Sequence, residues 1–455
     1  MKPSKRLCTP TILTQSEKAT TALLYTIMAG CCVLGSGQVI SFGGLGLRML
    51  LLGVLMVLSL PLVIAQWRQL VRNPLAQLTA VFLVWLAVST VVGILNRNSM
   101  SNLIGDLKGF CYFAFLIPAL CVLNSSKRIK TLMKVLMYSS GLLALLHLGT
   151  LAAYLIDPFK TEWFLLELLQ SHLGWLDKIS YTMTRLFYRS VVYLICGCGF
   201  SLYFYVFEDR KLRYPILAGL CLFGILLSYT RSIYLGLAVA ALLCAGYILI
   251  RGNATQRKRL LVFVAVMLLV FLLVTAGFSL SQQEDYLGFA FSRVFSISYT
   301  PAESNLWTLS AHPLLGSASL EDYLQSSKDS DILREQTIAE MLAKIQESPI
   351  FGSGLGVKWT VRTENGGLSE YFYLDLLAKT GIIGLFLYLS PILYTLYLWI
   401  RKGSDPAKWI WMAVLFGFLT VSYFNPYMNS ALGILFYCCC IAVFCVKKPQ
   451  AQSNI

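Results

Sequence analysis

The sequence predicts an all-α integral membrane protein of about twelve transmembrane helices with one large, partly helical external loop. Three observations predict it. Of 455 residues, 57% are hydrophobic and 13% charged, where soluble globular chains carry about 25% charged residues. Apolar runs of spanning length recur along the chain. One polar stretch, 281–370, is far longer than a connection between helices requires.

The runs lie near 21–41, 49–66, 76–94, 107–123, 135–155, 188–207, 215–230, 233–250, 260–280, 371–400, 408–425 and 430–446. They divide the chain into nine helices within 1–280, an external loop at 281–370, three helices within 371–446 and a tail at 447–455. Orientation follows from the basic residues, which collect on alternate connections. Lys2, Lys5, Arg6 and Lys18 precede the first run; Arg68 and Arg72 follow the second; Lys127, Arg128, Lys130 and Lys134 follow the fourth. The same side receives Arg210, Lys211, Arg213, Arg251, Arg257, Lys258, Arg259, Arg401, Lys402, Lys408, Lys447 and Lys448. Both termini are therefore expected in the cytoplasm, with the 281–370 loop and a smaller one from Asp157 to Arg189 outside. This distribution accounts for the net charge of +15 and argues against nucleic acid as a partner. Met1 to Thr20 is polar and basic without a cleavage pattern, so the first span is expected to stay as an anchor.

The 13 cysteines lie almost entirely inside apolar runs and none falls in the large loop, which points to helix packing and away from a disulfide framework. His147, His172 and His312 are scattered at no metal-ligand spacing. Neither a metal nor another cofactor is expected.

Within the loop, Ile338, Met341, Leu342 and Ile345 recur at helical spacing and predict an amphipathic helix over 332–347. Asp329, Ser330 and Asp331 offer N-caps, Glu340 and Lys344 an i,i+4 pair, and Ser348-Pro349 a stop. The helix is expected on the membrane surface or over the bundle. Phe351-Gly-Ser-Gly-Leu-Gly356 follows; it lacks the strand and spacing of a dinucleotide site. Its glycines predict a tight turn or a close backbone approach.

Candidate chemistry rests on a few charges. Arg231 sits in Ser228-Tyr-Thr-Arg-Ser232, where two apolar runs meet almost without a loop. It is read either as an anion site, since guanidinium binds phosphate bidentately, or as an arginine reaching for headgroups. Arg185 and Arg189, four apart, would share a helix face and repel; Asp177 or Glu167 could answer them, or a bound pyrophosphate. Arg334, in the first turn predicted for the loop helix, opposes the macrodipole. Glu370, at the outer mouth of the tenth run, is read as a general base for a sugar hydroxyl or as an acid stabilised by the helix N-terminus. Asp375 and Lys379, at i,i+4, are expected to satisfy one another.

These features in order resemble the O-antigen polymerase and O-antigen ligase superfamily of polytopic glycosyltransferases. Thr230-Arg231-Ser232 resembles the family's Thr/Ser-Arg-Ser/Gly segment, Pro349-Ile-Phe-Gly-Ser-Gly354 its loop-ending glycine turn, and Tyr373 to Gly384 its following helix. The resemblance covers about 185 to 390. It implies a bacterial inner-membrane enzyme that takes glycan from an undecaprenyl pyrophosphate-linked donor and moves it to an acceptor hydroxyl without metal. Arg185, Arg189, Arg231 and Arg334 would hold the pyrophosphate, with Glu370 as base. Membrane lipids and a chain-length regulator are the further partners expected. Ligases of the superfamily typically show His at the loop-to-helix junction, where this chain has Glu370-Tyr371; that departure favours polymerase over ligase. A lipid-linked oligosaccharide flippase is the rival from another class, and would line a path through both leaflets with basic residues.

Overall fold

The computed structural model of the protein describes residues 10–35, 41–42, 45–157, 160–161, 164, 174–178, 184–282, 320–361, 371–402 and 405–445. Thirteen helices dominate them: α1 (Pro10–Leu34), α2 (Leu47–Val71), α3 (Pro74–Leu95), α4 (Met100–Val122), α5 (Ser126–Ile156), α6 (Val191–Glu208), α7 (Arg213–Leu227), α8 (Arg231–Arg251), α9 (Ala254–Gln282), α10 (Leu320–Glu347), α11 (Phe372–Lys402), α12 (Pro406–Phe424) and α13 (Ala431–Cys445). Two short antiparallel hairpins accompany them, β1 (Ser41–Phe42) with β2 (Leu45–Gly46), and β3 (Gly174–Lys178) with β4 (Thr184–Tyr188).

Nine of these helices are long and apolar enough to span a membrane, and α7 and α13 are shorter apolar helices. Local sequence fixes their starts. Asn73 and Asp405 each cap a helix whose first residue is proline, through side-chain oxygens that accept from Leu75 N (3.0 Å) and Ala407 N (3.1 Å). Such caps serve N–H groups that the first turn leaves without partners. Ser99 and Ser125 cap α4 and α5 in the same way.

α6 and α13 form the centre: every residue from Leu194 to Tyr203 and from Ala431 to Phe444 is buried. α2, α3, α8 and α9 lie outside and present Val57, Val84, Leu242 and Leu273 at 63–73% exposure. Apolar surface on that scale is suited to lipid.

The helices depart from the sequence expectations in α1, at the start of α10 and in the pairing of Lys344. α1 begins at Pro10, eleven residues before the predicted span, and ends at Leu34. α10 begins at Leu320, so Asp329, Ser330 and Asp331 are interior residues and not caps. The stretch Leu320-Glu-Asp-Tyr-Leu-Gln-Ser-Ser-Lys-Asp-Ser-Asp331 has too few periodic apolar residues to announce a helix. Finally, Lys344 pairs with Glu347 at 2.7 Å, which leaves Glu340 to another partner. Of the predicted face, Met341 is fully buried and Ile338 and Ile345 pack beside it against Val357, Trp359, Tyr371 and Ala378, while Leu342 stays 46% exposed. The helix thus rests over the start of α11, on the bundle.

Candidate functional site

The described part of the site is built around a break in α11. Gly381 has φ 67 and ψ −177, a conformation no helix contains, so Phe372–Lys402 is two helical halves meeting at that residue. A break frees carbonyls that need donors when buried. The glycine turn supplies them: Ser353 N donates to Ala378 O at 2.8 Å and Gly354 N to Lys379 O at 2.9 Å. The Trp85 indole N–H of α3 donates to Thr380 O at 2.9 Å. On the far side, Ile382 N donates to Pro349 O at 2.9 Å.

Two glycines make this contact possible. A Cβ on Gly381 would sit 2.0 Å from Ile350 O, and one on Gly354 (φ +83) 2.1 Å from Gly93 N. The turn is also held from α3 and the residues after it. Leu355 N donates to Ser89 O at 3.0 Å, and the Asn98 side chain donates to Ser353 O (3.0 Å) and Leu355 O (2.9 Å). The expected close approach is therefore present, with the first half of the chain as its dock.

Beside the break lies a buried ionic cluster. Lys379 Nζ donates to Asp375 Oδ2 and to Asp106 Oδ1, each at 2.9 Å. The remaining carboxylate oxygens are also occupied: Trp359 Nε1 donates to Asp375 Oδ1 at 2.8 Å and Gly356 N to Asp106 Oδ2 at 2.9 Å. All three charged residues are at most 7% exposed. Such a cluster is tolerable only when its lone pairs and protons find partners, as most do here. Asp106, Asp375, Lys379 and Asn429 line a cavity of about 10 Å³ with Phe110, Leu355, Phe372 and Leu376, room for about one water. Asn429 Nδ2 is buried without a partner among the described residues.

The expected Asp375–Lys379 pair is thus present, and Asp106 is the member that sequence reasoning missed. It stands just before the predicted fourth span, where it reads as an ordinary helix-end charge. Glu340 is a second omission. Its carboxylate accepts from Thr360 N (2.8 Å), Thr360 Oγ1 (2.8 Å) and Val361 N (3.4 Å). Since Tyr371 is buried under α10, the chain is fixed at both 361 and 371; Glu370 itself lies outside the described residues.

The arginines occupy different settings. Arg231 is the first residue of α8, separated from α7 only by Ser228, Tyr229 and Thr230, and its side chain is exposed. Tyr229, with φ 44, makes the reversal. Ser232, next to Arg231, receives the Asn425 side-chain amide at 2.5 Å; Asn425 opens the connection Pro426–Asn429 that ends at the cavity. Arg185 and Arg189 do not share a helix face. Arg185 belongs to β4, in register with Asp177 of β3, and Arg189 follows in the turn before α6. A hairpin depends on its distant strand, which four-residue spacing does not reveal. Arg189 Nε is buried without a partner among the described residues, and burial draws its guanidinium below the usual arginine value. Arg334 is the fifteenth residue of α10 and not in its first turn, so the macrodipole argument for it falls away.

Arg48, in the first turn of α2, escaped the sequence reading as a span-flanking charge. It is 7% exposed and its Nη2 has no partner among the described residues.

No curated protein matches this sequence. Residues 216–389 match the family model described as O-antigen ligase, a stretch that begins within α7, holds Arg231 and the glycine turn, and ends in the half of α11 that follows the break. The stretch 216–389 is thus similar to the O-antigen ligase family, in agreement with the superfamily that its motifs resemble.

Proposed function

We propose that the protein polymerises undecaprenyl pyrophosphate-linked oligosaccharide repeat units into a surface polysaccharide on the outer face of the cytoplasmic membrane. The observation that carries this reading is the matched stretch at 216–389, whose glycine turn is fastened to the break in α11. In the reaction, the anomeric carbon of the growing chain leaves its pyrophosphate and bonds to a hydroxyl of the incoming unit. The hydroxyl's proton passes to a base and the pyrophosphate departs as a dianion or higher charge.

Arg231 is suited to that departing charge. An exposed guanidinium can meet a headgroup bidentately and stay charged throughout. Arg185, Arg189 and Arg334 are the further candidates for the pyrophosphate, and the Nε of Arg189 has no partner among the described residues. Glu370 is the candidate base. Fixed cations act on the charge that develops at the leaving group, where electrostatic stabilisation counts most.

The ligase reading is favoured by the description of the matching family. The Glu370-Tyr371 pair, in place of the His that the resemblance leads one to expect in a ligase, supports the polymerase. A strain lacking the gene, complemented with wild type, Arg231→Ala or Glu370→Ala, separates them on a gel of lipid-linked and surface glycans. Single units at the surface without a ladder are expected from the deletion and from both variants. Long polymer retained on undecaprenyl pyrophosphate would identify a ligase, and single units trapped on the cytoplasmic leaflet a flippase.

A further inference from the structure

The buried cluster of Asp106, Asp375 and Lys379 is larger than helix packing requires. Its hydrogen bonds go to parts of the chain that surround the proposed chemistry. Trp359 lies just before residue 361, and Asp375 just after residue 371, so the Trp359–Asp375 bond ties together the two flanks of 362–370. Glu340 holds the first flank again at Thr360 and Val361. Gly356, three residues before Trp359, is bonded to Asp106 of α4. Lys379 joins the two carboxylates, and its own carbonyl accepts from Gly354. Lys379, through its ammonium group and its carbonyl, therefore links α4, the glycine turn and the half of α11 before the break.

We propose that Asp106, Trp359, Asp375 and Lys379 act as positioning residues for glycan transfer, setting the flanks at 359–361 and 371–375 between which the candidate base Glu370 stands in the sequence. This rests on the polymerase or ligase reading above. Asp106 lies outside the matched domain, so the site is incomplete without the first half of the chain. Precise placement is where such a clamp acts: an error near 1 Å at a reacting group costs on the order of a hundredfold in rate. A structural tie, by contrast, changes how much protein folds and leaves the rate of each folded molecule alone.

Trp359→Phe removes the indole donor and keeps the ring. Asp106→Asn keeps an oxygen for Gly356 N and removes the charge facing Lys379. The full-length protein, purified in detergent, is given undecaprenyl pyrophosphate-linked repeat units from the source strain. Release of undecaprenyl pyrophosphate is followed, because polymerase and ligase both produce it. For each variant kcat per folded molecule is expected to fall by about tenfold or more, with KM within about twofold. Melting falls as well, because each variant breaks a buried bond, so rates are taken per folded molecule. In a Glu370→Gln background, Trp359→Phe should then change the rate by less than about twofold, since residues acting as one unit are not additive.

Wild-type kcat in both variants would overturn the proposal, as would lowered melting with an unchanged rate per folded molecule. A full tenfold loss added to that of Glu370→Gln would show that the cluster acts elsewhere. Wild-type activity in Glu370→Gln is a separate failure, of the base assignment, and a kcat loss in Trp359→Phe would still support positioning of the flanks.

Discussion

The backbone N–H of Gly354 donates to the carbonyl of Lys379 at 2.9 Å, a bond available only because α11 breaks two residues later at Gly381. The turn and the break are therefore one hydrogen-bonded feature.

Gly354→Ala is expected to be among the most damaging small substitutions in the protein. The new Cβ would meet Gly93 backbone at 2.1 Å in a left-handed conformation, for a loss of about 3 kcal/mol or more. Gly53→Ala, where a Cβ meets nothing within 4 Å, is the control. Melting in detergent and the monodisperse fraction on size exclusion should fall for the first and hold for the second.

Lys379→Met leaves Asp106 and Asp375 buried together without their cation. Breaking a buried ion cluster in this way costs about 3–5 kcal/mol, so the variant should melt far below wild type. If its melting were unchanged, the cluster would not be contributing to the fold.

Arg231→Ala is expected to be inactive yet at least as stable as wild type. The side chain is exposed, and a cation at the first residue of a helix opposes the dipole by about 0.3–1 kcal/mol. Arg231→Lys keeps the charge but not the bidentate fork, so release of undecaprenyl pyrophosphate should be reduced by about tenfold or more. Full activity in Arg231→Ala would end its assignment to the pyrophosphate.

Arg48→Met tests a buried cation whose Nη2 has no partner among the described residues. An apolar residue of similar length removes the desolvation cost, and melting in the absence of lipid substrate should rise by about 1–3 °C. A large fall would reveal a counter-charge that stabilises Arg48.

The parts of this architecture that depend on nearby residues were legible in the sequence. The apolar runs gave the helices because a bilayer demands length and apolarity within one segment. Asp375 and Lys379 announced their pairing by sitting four apart. Glycines at 352, 354 and 356 announced a turn that side chains could not make. What escaped depends on distant partners. Asp106 meets Lys379 across 273 positions, a separation that no periodicity marks. Arg185 looked helical beside Arg189 and became a strand residue through its pairing with β3. Glu340 matched Lys344 by spacing, and Thr360 and Val361 claimed it instead.

The dock of the glycine turn also limits how this protein could be recombined with its relatives. Trp85, Ser89, Asn98 and Asp106 all precede residue 216. A chimera that exchanged 216–389 alone would import a turn shaped for another protein's α3 and α4. Exchanging 85–106 along with it would transplant lock and key together, and swaps designed to transfer sugar specificity should therefore move both segments as a pair.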